Sequence, residues 1–72
     1  MRVASFVYYG STPDKHRLVT LRQSGNRYIV DIEGYPSLTQ IYTNKEKAEC
    51  ALLGWWEMSQ KDWGASEIEY FE

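Results

Sequence analysis

The chain has 72 residues, of which 43% are hydrophobic and 25% charged, a composition that argues against disorder and predicts one domain over residues 1–72. Its single cysteine and single histidine exclude an internal disulfide and a four-ligand zinc site, and we expect neither a metal nor a cofactor. The net charge of −2 divides into +2 over residues 1–36 and −4 over residues 37–72, which argues against nucleic acid as the main partner and favours a protein with a basic patch.

The first predicted element is a strand over residues 3–9, where β-branched and aromatic residues occupy both faces. Such a strand is either central in its sheet or contributes one side to an exposed aromatic patch. The segment before Gly10 carries one positive charge and a short apolar run, so we expect neither a signal peptide nor a membrane span. A lone cysteine fits a reducing compartment, which predicts a cytoplasmic protein.

The most regular pattern predicts two strands over residues 17–24 and 27–33, joined by a two-residue turn at Gly25 and Asn26. In this register Leu21 lies opposite Val30, and a slip of one residue would mix apolar with polar side chains. We expect the apolar face of this hairpin to receive a helix, and its members are Val19, Leu21, Tyr28, Val30 and Ile32.

A fourth strand is predicted over residues 38–42, and its facing stays open because Leu38 and Tyr42 compete with Ile41 for the core. A short last strand is predicted over residues 66–71, where Ile68 and Tyr70 alternate with glutamates. The fold class is therefore α+β, an antiparallel β-meander of four strands with one long helix packed on one face.

The long helix is predicted over residues 44–63. Thr43 and Glu46 fit a capping box at its start, and Gly64 suits its end. At about 100° per residue, the expected core face comprises Ala48, Ala51, Leu52, Trp55, Met58 and Ser59, with Trp56 and Trp63 at its edge.

On the outer side of this helix we define the Leu53 patch as Leu53, Cys50 and the edge of Trp56, with a rim of glutamates at Glu46, Glu49 and Glu57. One interpretation is that helices carry scattered exposed apolar residues. The other is that an apolar centre with a charged rim is typical of a partner-binding surface.

We predict a non-enzymatic protein-binding module. No catalytic constellation is evident, since His16 lies in a loop without a nucleophile, and the Glu67 and Glu69 carboxylates read more simply as a solvated strand face. Eleven aromatic residues exceed what so small a core needs, and tyrosine and tryptophan anchor interfaces. The candidate contacts are the Leu53 patch together with Tyr8, Tyr9 and Tyr35. A homodimer through the Leu53 patch or an exposed sheet edge is a further hypothesis.

In size, acidity and strand-plus-helix plan the chain resembles small phage-encoded inhibitors of host factors, such as anti-CRISPR proteins. This resemblance is architectural and rests on no shared motif, so it transfers no functional residue. It implies inhibition by occlusion of a partner's surface.

The alternative hypothesis is a nucleic-acid-binding module acting as an oligomer. Arg22 and Arg27 share the predicted sheet face away from the helix, and Arg17 and Lys15 lie close to them in the chain. Tyrosines on a sheet can also stack on bases.

Overall fold

The computed structural model of the protein describes residues 1–71; Glu72, the last residue of the predicted domain, lies outside them. The described residues form five strands and one α-helix, which are β1 (Arg2–Tyr8), β2 (Arg17–Ser24), β3 (Arg27–Ile32), β4 (Gln40–Tyr42), α1 (Lys45–Asp62) and β5 (Glu69–Tyr70). Strands β1 to β4 form an antiparallel meander and β5 pairs with β1, so the sheet order is β4-β3-β2-β1-β5. The predicted α+β class is confirmed. Within residues 1–71, no helix combines the length and the hydropathy that a membrane crossing requires.

The β2–β3 hairpin has the predicted register, with Leu21 paired to Val30 and Val19 to Ile32. Gly25 adopts a φ of 63° in the connecting turn, a conformation that glycine reaches without the penalty of a side chain. The turn therefore fixes which side of the hairpin is apolar, as the alternation of the sequence indicates.

The hydrophobic core lies between α1 and one face of the sheet. Ala4, Leu21, Val30 and Ala48 are completely buried, and Leu52 is 2% exposed. Three other buried residues complete this cluster: Val3, Phe6 and Val19. The opposite sheet face carries no second layer among the described residues, and we call it the open face.

The start of the helix differs from the prediction. The side chain of Asn44, and not that of Thr43, caps the helix by accepting a 3.1 Å hydrogen bond from the backbone N–H of Lys47. Asparagine ranks above threonine as an N-cap, so of two adjacent candidates the stronger one takes the position. The predicted capping box of Thr43 and Glu46 is therefore wrong. At the other end Gly64 donates to the Ser59 carbonyl at 2.8 Å, as a helix-ending residue should.

The outer boundaries of the sheet also differ. Strand β1 lies one residue earlier than predicted, and β4 is only three residues long because Pro36–Leu38 forms a short 3-10 turn. Tyr42 pairs with Tyr28 on the helix side, whereas Ile41 pairs with Ile29 on the open face and is 58% exposed. The last strand is reduced to residues 69–70.

Met58, which was predicted on the core face of the helix, and Trp63, which was predicted at the edge of that face, are both on the surface. Met58 is 64% exposed and Trp63 is 58% exposed. Buried Ser59 marks the direction of the core, and Met58 lies about 100° around the helix axis from it, beyond the part that the sheet covers.

Candidate functional site

Two adjacent depressions form a groove where the C-terminal half of α1 meets the ends of β1 and β2 and the 36–38 turn. Tyr8, Arg17 and Tyr35 line both depressions and lie between them. We call the whole feature the aromatic groove, and its two halves the apolar end and the cationic end.

The apolar end has a volume of about 290 Å³. Its floor and walls are mostly hydrophobic, and the residues besides the three shared ones are Val19, Ile32, Leu38, Trp55, Met58, Ser59 and Asp62. Leu38 and Met58 are 42% and 64% exposed, so they stand at the rim in contact with solvent. Large apolar side chains grouped around a concave surface are typical of a site that receives another molecule.

The cationic end has a volume of about 270 Å³ and is lined by Gly10, Ser11, Lys15 and Trp63 together with the shared residues. Its lining contains two cations, Lys15 and Arg17, and no carboxylate. Neither cation forms an ion pair within residues 1–71. An anionic group entering this end would therefore meet positive charge with little local competition.

Arg17 is held in place by the loop that precedes it. Its Nη1 donates to the carbonyl oxygens of Asp14 and His16 at 3.3 and 2.9 Å, and its guanidinium lies 5.9 Å from the centre of the Tyr35 ring. Such stacking positions a cation while leaving part of its charge open to a ligand. The prediction that Tyr35 is accessible is consistent with its 48% exposure.

The 10–16 loop sets the position of Lys15. Gly10 has a φ of 69°, and a Cβ at this position would lie 2.8 Å from Lys15 Cβ and 2.9 Å from the Lys15 carbonyl oxygen. Thr12 donates a hydrogen bond to the Asp14 carboxylate, and this bond, more than the nearby charge of Arg17, lowers the pKa of Asp14. The loop is thus closed tightly on itself, with the Lys15 side chain facing the groove.

Tyr8 joins the strand side of the groove to the helix. Its hydroxyl donates to Asp62 Oδ2 at 2.5 Å, and this hydrogen bond is the main reason that the pKa of Tyr8 is raised to about 12. The phenol therefore stays protonated at neutral pH and continues to satisfy the carboxylate. Tyr9 points elsewhere and packs against His16, with ring centroids 5.2 Å apart.

The predicted Leu53 patch is only partly present. Leu53 is 45% exposed and Cys50 is exposed, but Trp56 is half-buried and its Nε1 donates to the Ser66 carbonyl at 2.8 Å. Among the rim glutamates Glu46 and Glu57 are exposed and Glu49 is half-buried. Trp56 is thus committed to holding the C-terminal segment, and the remaining patch is small and convex.

The four cations of the nucleic-acid hypothesis do not form one surface. Arg22 and Arg27 lie along the open face, where Arg22 Nε forms an ion pair with Asp31 Oδ2 at 2.7 Å. Arg17 and Lys15 line the groove beside the helix instead. Arg17 and Arg22 are also five residues apart along β2, about 17 Å in an extended strand. Arg22 and Arg27 thus share the open face as predicted, whereas Arg17 and Lys15 are not part of it.

The open face carries a wider depression of about 360 Å³ around Asp31 and Glu33. No aromatic side chain lines it, and Asp31 Oδ1 is buried without a hydrogen-bond partner among residues 1–71. Its lining holds none of the tryptophan, tyrosine or arginine side chains that usually anchor an interface, so the aromatic groove is the stronger candidate site. Within the described residues no cluster of three or more histidine, cysteine, aspartate or glutamate side chains has the geometry to hold a metal ion.

Sequence reasoning named Tyr8, Tyr9 and Tyr35 but missed the residues that complete the groove, chiefly Trp55, Met58, Leu38, Trp63 and Asp62. The signal was the width of the predicted apolar stripe. The six helix positions and two flanking tryptophans span about 160° of the helix circumference, which is wider than the stripe of about 100° that typically faces a core.

Comparison with known proteins adds no functional information. No family model matches the chain, and no curated protein or solved structure shows significant similarity to it.

Proposed function

We propose that the protein is a non-enzymatic module that binds another protein through the aromatic groove. The observation that carries this proposal is the exposure of Met58, Trp63, Tyr35 and Leu38 around one concave surface, at 64, 58, 48 and 42%. Single exposed apolar side chains are common on protein surfaces, but several large ones around one concave surface are typical of a binding site. Their grouping around a cavity is explained if a partner covers them.

The shape of the groove favours a protein partner over an enclosed cofactor, because its rim residues Met58 and Trp63 are more than half exposed and leave it open to solvent. The apolar end has a volume of about 290 Å³. A space of this size accommodates one or two side chains of a partner, with the exposed rim residues contacting the surface around them. Aromatic anchors in such a position commonly contribute about 2 kcal/mol or more to binding.

The test compares the same substitution at two places on α1. Met58→Glu puts a charge at the rim of the groove, whereas Leu53→Glu changes a similarly exposed apolar residue about 140° away around the helix axis. Both positions are on the surface and glutamate is a good helix former, so both variants should fold.

Tagged wild-type protein and the two variants are used to capture partners from a lysate of the source organism. We expect a stoichiometric protein retained by the wild type and by Leu53→Glu, and lost with Met58→Glu. Loss with Leu53→Glu alone would return the site to the Leu53 patch, and absence of any stoichiometric protein would reject the proposal. The identity of the partner as a phage-targeted host factor stays a prediction.

A further inference from the structure

We infer that the aromatic groove takes an extended peptide segment in which an acidic residue lies two positions from a large apolar one. This inference rests on the proposed function and specifies the chemistry of the partner. It differs from the prediction of a basic partner, which came from the net charge of the C-terminal half. Among the described residues, no glutamate that contributes to that charge lines the groove, and the one aspartate that contributes to it, Asp62, lines only the apolar end.

The apolar residue belongs at the apolar end. Trp55 and Ile32 form part of its lining and Met58 stands at the rim, so a leucine, methionine or phenylalanine side chain would replace water against hydrophobic surface on several sides. The carboxylate at this end, Asp62, accepts a hydrogen bond from the Tyr8 hydroxyl, and its negative charge disfavours an acidic side chain of the partner at this end.

The acidic residue belongs at the cationic end. Lys15 and Arg17 both line it, neither is ion-paired within residues 1–71, and the Ser11 side chain adds a hydroxyl donor. Because Tyr8, Arg17 and Tyr35 border both ends, the two subsites are neighbours. In an extended peptide the side chains of residues two apart point the same way, about 7 Å from each other, which suits adjacent subsites.

The charges around the groove favour a single carboxylate over a polyanion. Asp14 lies within the 10–16 loop and Asp62 lines the apolar end, so the two cations are flanked by two carboxylates. The net charge of the whole chain is also negative. A nucleic acid would bring several phosphates into this field, whereas an acidic side chain brings one charge to the cationic end, whose lining holds two cations and no carboxylate.

The test uses three labelled peptides and fluorescence anisotropy. The acidic–apolar peptide has a central phenylalanine with aspartate two positions away on either side, in a serine and glycine background. The basic–apolar peptide has lysine in place of aspartate, and the acidic–polar peptide has serine in place of phenylalanine. We expect the first peptide to bind about tenfold or more tightly than the other two, a factor equivalent to about 1.4 kcal/mol.

A charge reversal with a matched control locates the binding site. Lys15→Glu should weaken binding of the acidic–apolar peptide by about threefold to tenfold, because the substitution replaces one exposed charge attraction by a repulsion. Lys47→Glu makes the same change in net charge at an exposed position about 22 Å along the helix from Asp62, and should leave binding unchanged. Raising the ionic strength from about 0.01 to about 0.15 M should weaken wild-type binding, since the screening length falls from about 30 to about 8 Å.

Several results would overturn the inference. They are equal or tighter binding of the basic–apolar peptide, no binding of any peptide, equal losses in the Lys15 and Lys47 variants, or tighter binding of a labelled single-stranded oligonucleotide than of the acidic–apolar peptide. If Met58→Glu still abolishes partner capture while the peptides fail to discriminate, the groove remains the protein-binding site and only its preference for an acidic segment is rejected.

Discussion

The tight closure of the 10–16 loop makes a quantitative prediction about Gly10. Replacing Gly10 with alanine forces a residue with a side chain into a φ of 69°, which costs about 1–2 kcal/mol. The new Cβ would also lie 2.8 Å from Lys15 Cβ and 2.9 Å from the Lys15 carbonyl oxygen. Both are parts of the loop that cannot swing aside, so the backbone must move, at a further cost of about 1–3 kcal/mol.

Gly25→Ala is the matched control for this substitution. Gly25 has a similar φ of 63°, but no atom lies within 4 Å of the position that its Cβ would occupy. We therefore expect Gly25→Ala to lower the free energy of unfolding by about 1–2 kcal/mol, and Gly10→Ala by about 2–5 kcal/mol. The larger loss is within the stability of about 4–11 kcal/mol that a chain of this length typically has.

Urea unfolding followed by tryptophan fluorescence and by circular dichroism measures both variants. The acidic–apolar peptide adds a second measurement, because displacement of Lys15 should weaken its binding to Gly10→Ala while Gly25→Ala binds normally. Equal losses of stability in the two variants would show that the loop has room for a methyl group. In that case the argument that the loop fixes the position of Lys15 fails.

Two further predictions concern the helix cap and the Tyr8 hydroxyl. Asn44→Ala should lower the free energy of unfolding by about 1 kcal/mol and the melting temperature by about 4–8 °C. Thr43→Ala should change both quantities far less. Thermal unfolding followed by circular dichroism measures both variants. A larger loss of stability in Thr43→Ala than in Asn44→Ala would show that Thr43, and not Asn44, caps the helix. Because the pKa of Tyr8 is raised to about 12 from 10.0, its hydrogen bond to Asp62 adds stability that is fully present below about pH 10 and is lost as the pH rises through about 12. Urea unfolding across this range should show a steeper decline for the wild type than for Tyr8→Phe, and parallel declines would contradict the raised pKa.

The register of the central hairpin was predictable because two independent signals agree there. Strict alternation from Val19 to Ile32 distinguishes the faces, and Gly25 fixes the turn. The face of the helix that packs against the sheet was equally predictable, from the positions of Ala48 and Leu52. These are local properties, and the sequence expresses them through periodicity and turn chemistry.

The groove was not predictable in the same way because it depends on the extent of neighbouring elements. Periodicity predicts which side of the helix Met58 lies on, but it does not predict how far the sheet extends beneath the helix. The position of the sheet edge decides whether the Met58 side chain is buried. Leu38 reaches the groove because it ends a 3-10 turn that begins at Pro36, whereas it was predicted to be the first residue of the fourth strand. Arg17 was assigned to a basic surface from its proximity in sequence to Arg22, although their side chains contact different parts of the molecule.

The short outer strands have a consequence for self-association. A sheet grows sideways by pairing the free backbone groups of its border strands with those of another chain. Here one border offers three residues, Gln40–Tyr42, and the other offers two, Glu69–Tyr70. An incoming strand could form only a few backbone hydrogen bonds with either border strand. Glu69 also places a negative charge on the second of these strands. We expect any pairing of copies to use side chains and not continuation of the sheet, which protects the protein from polymerising as its concentration rises.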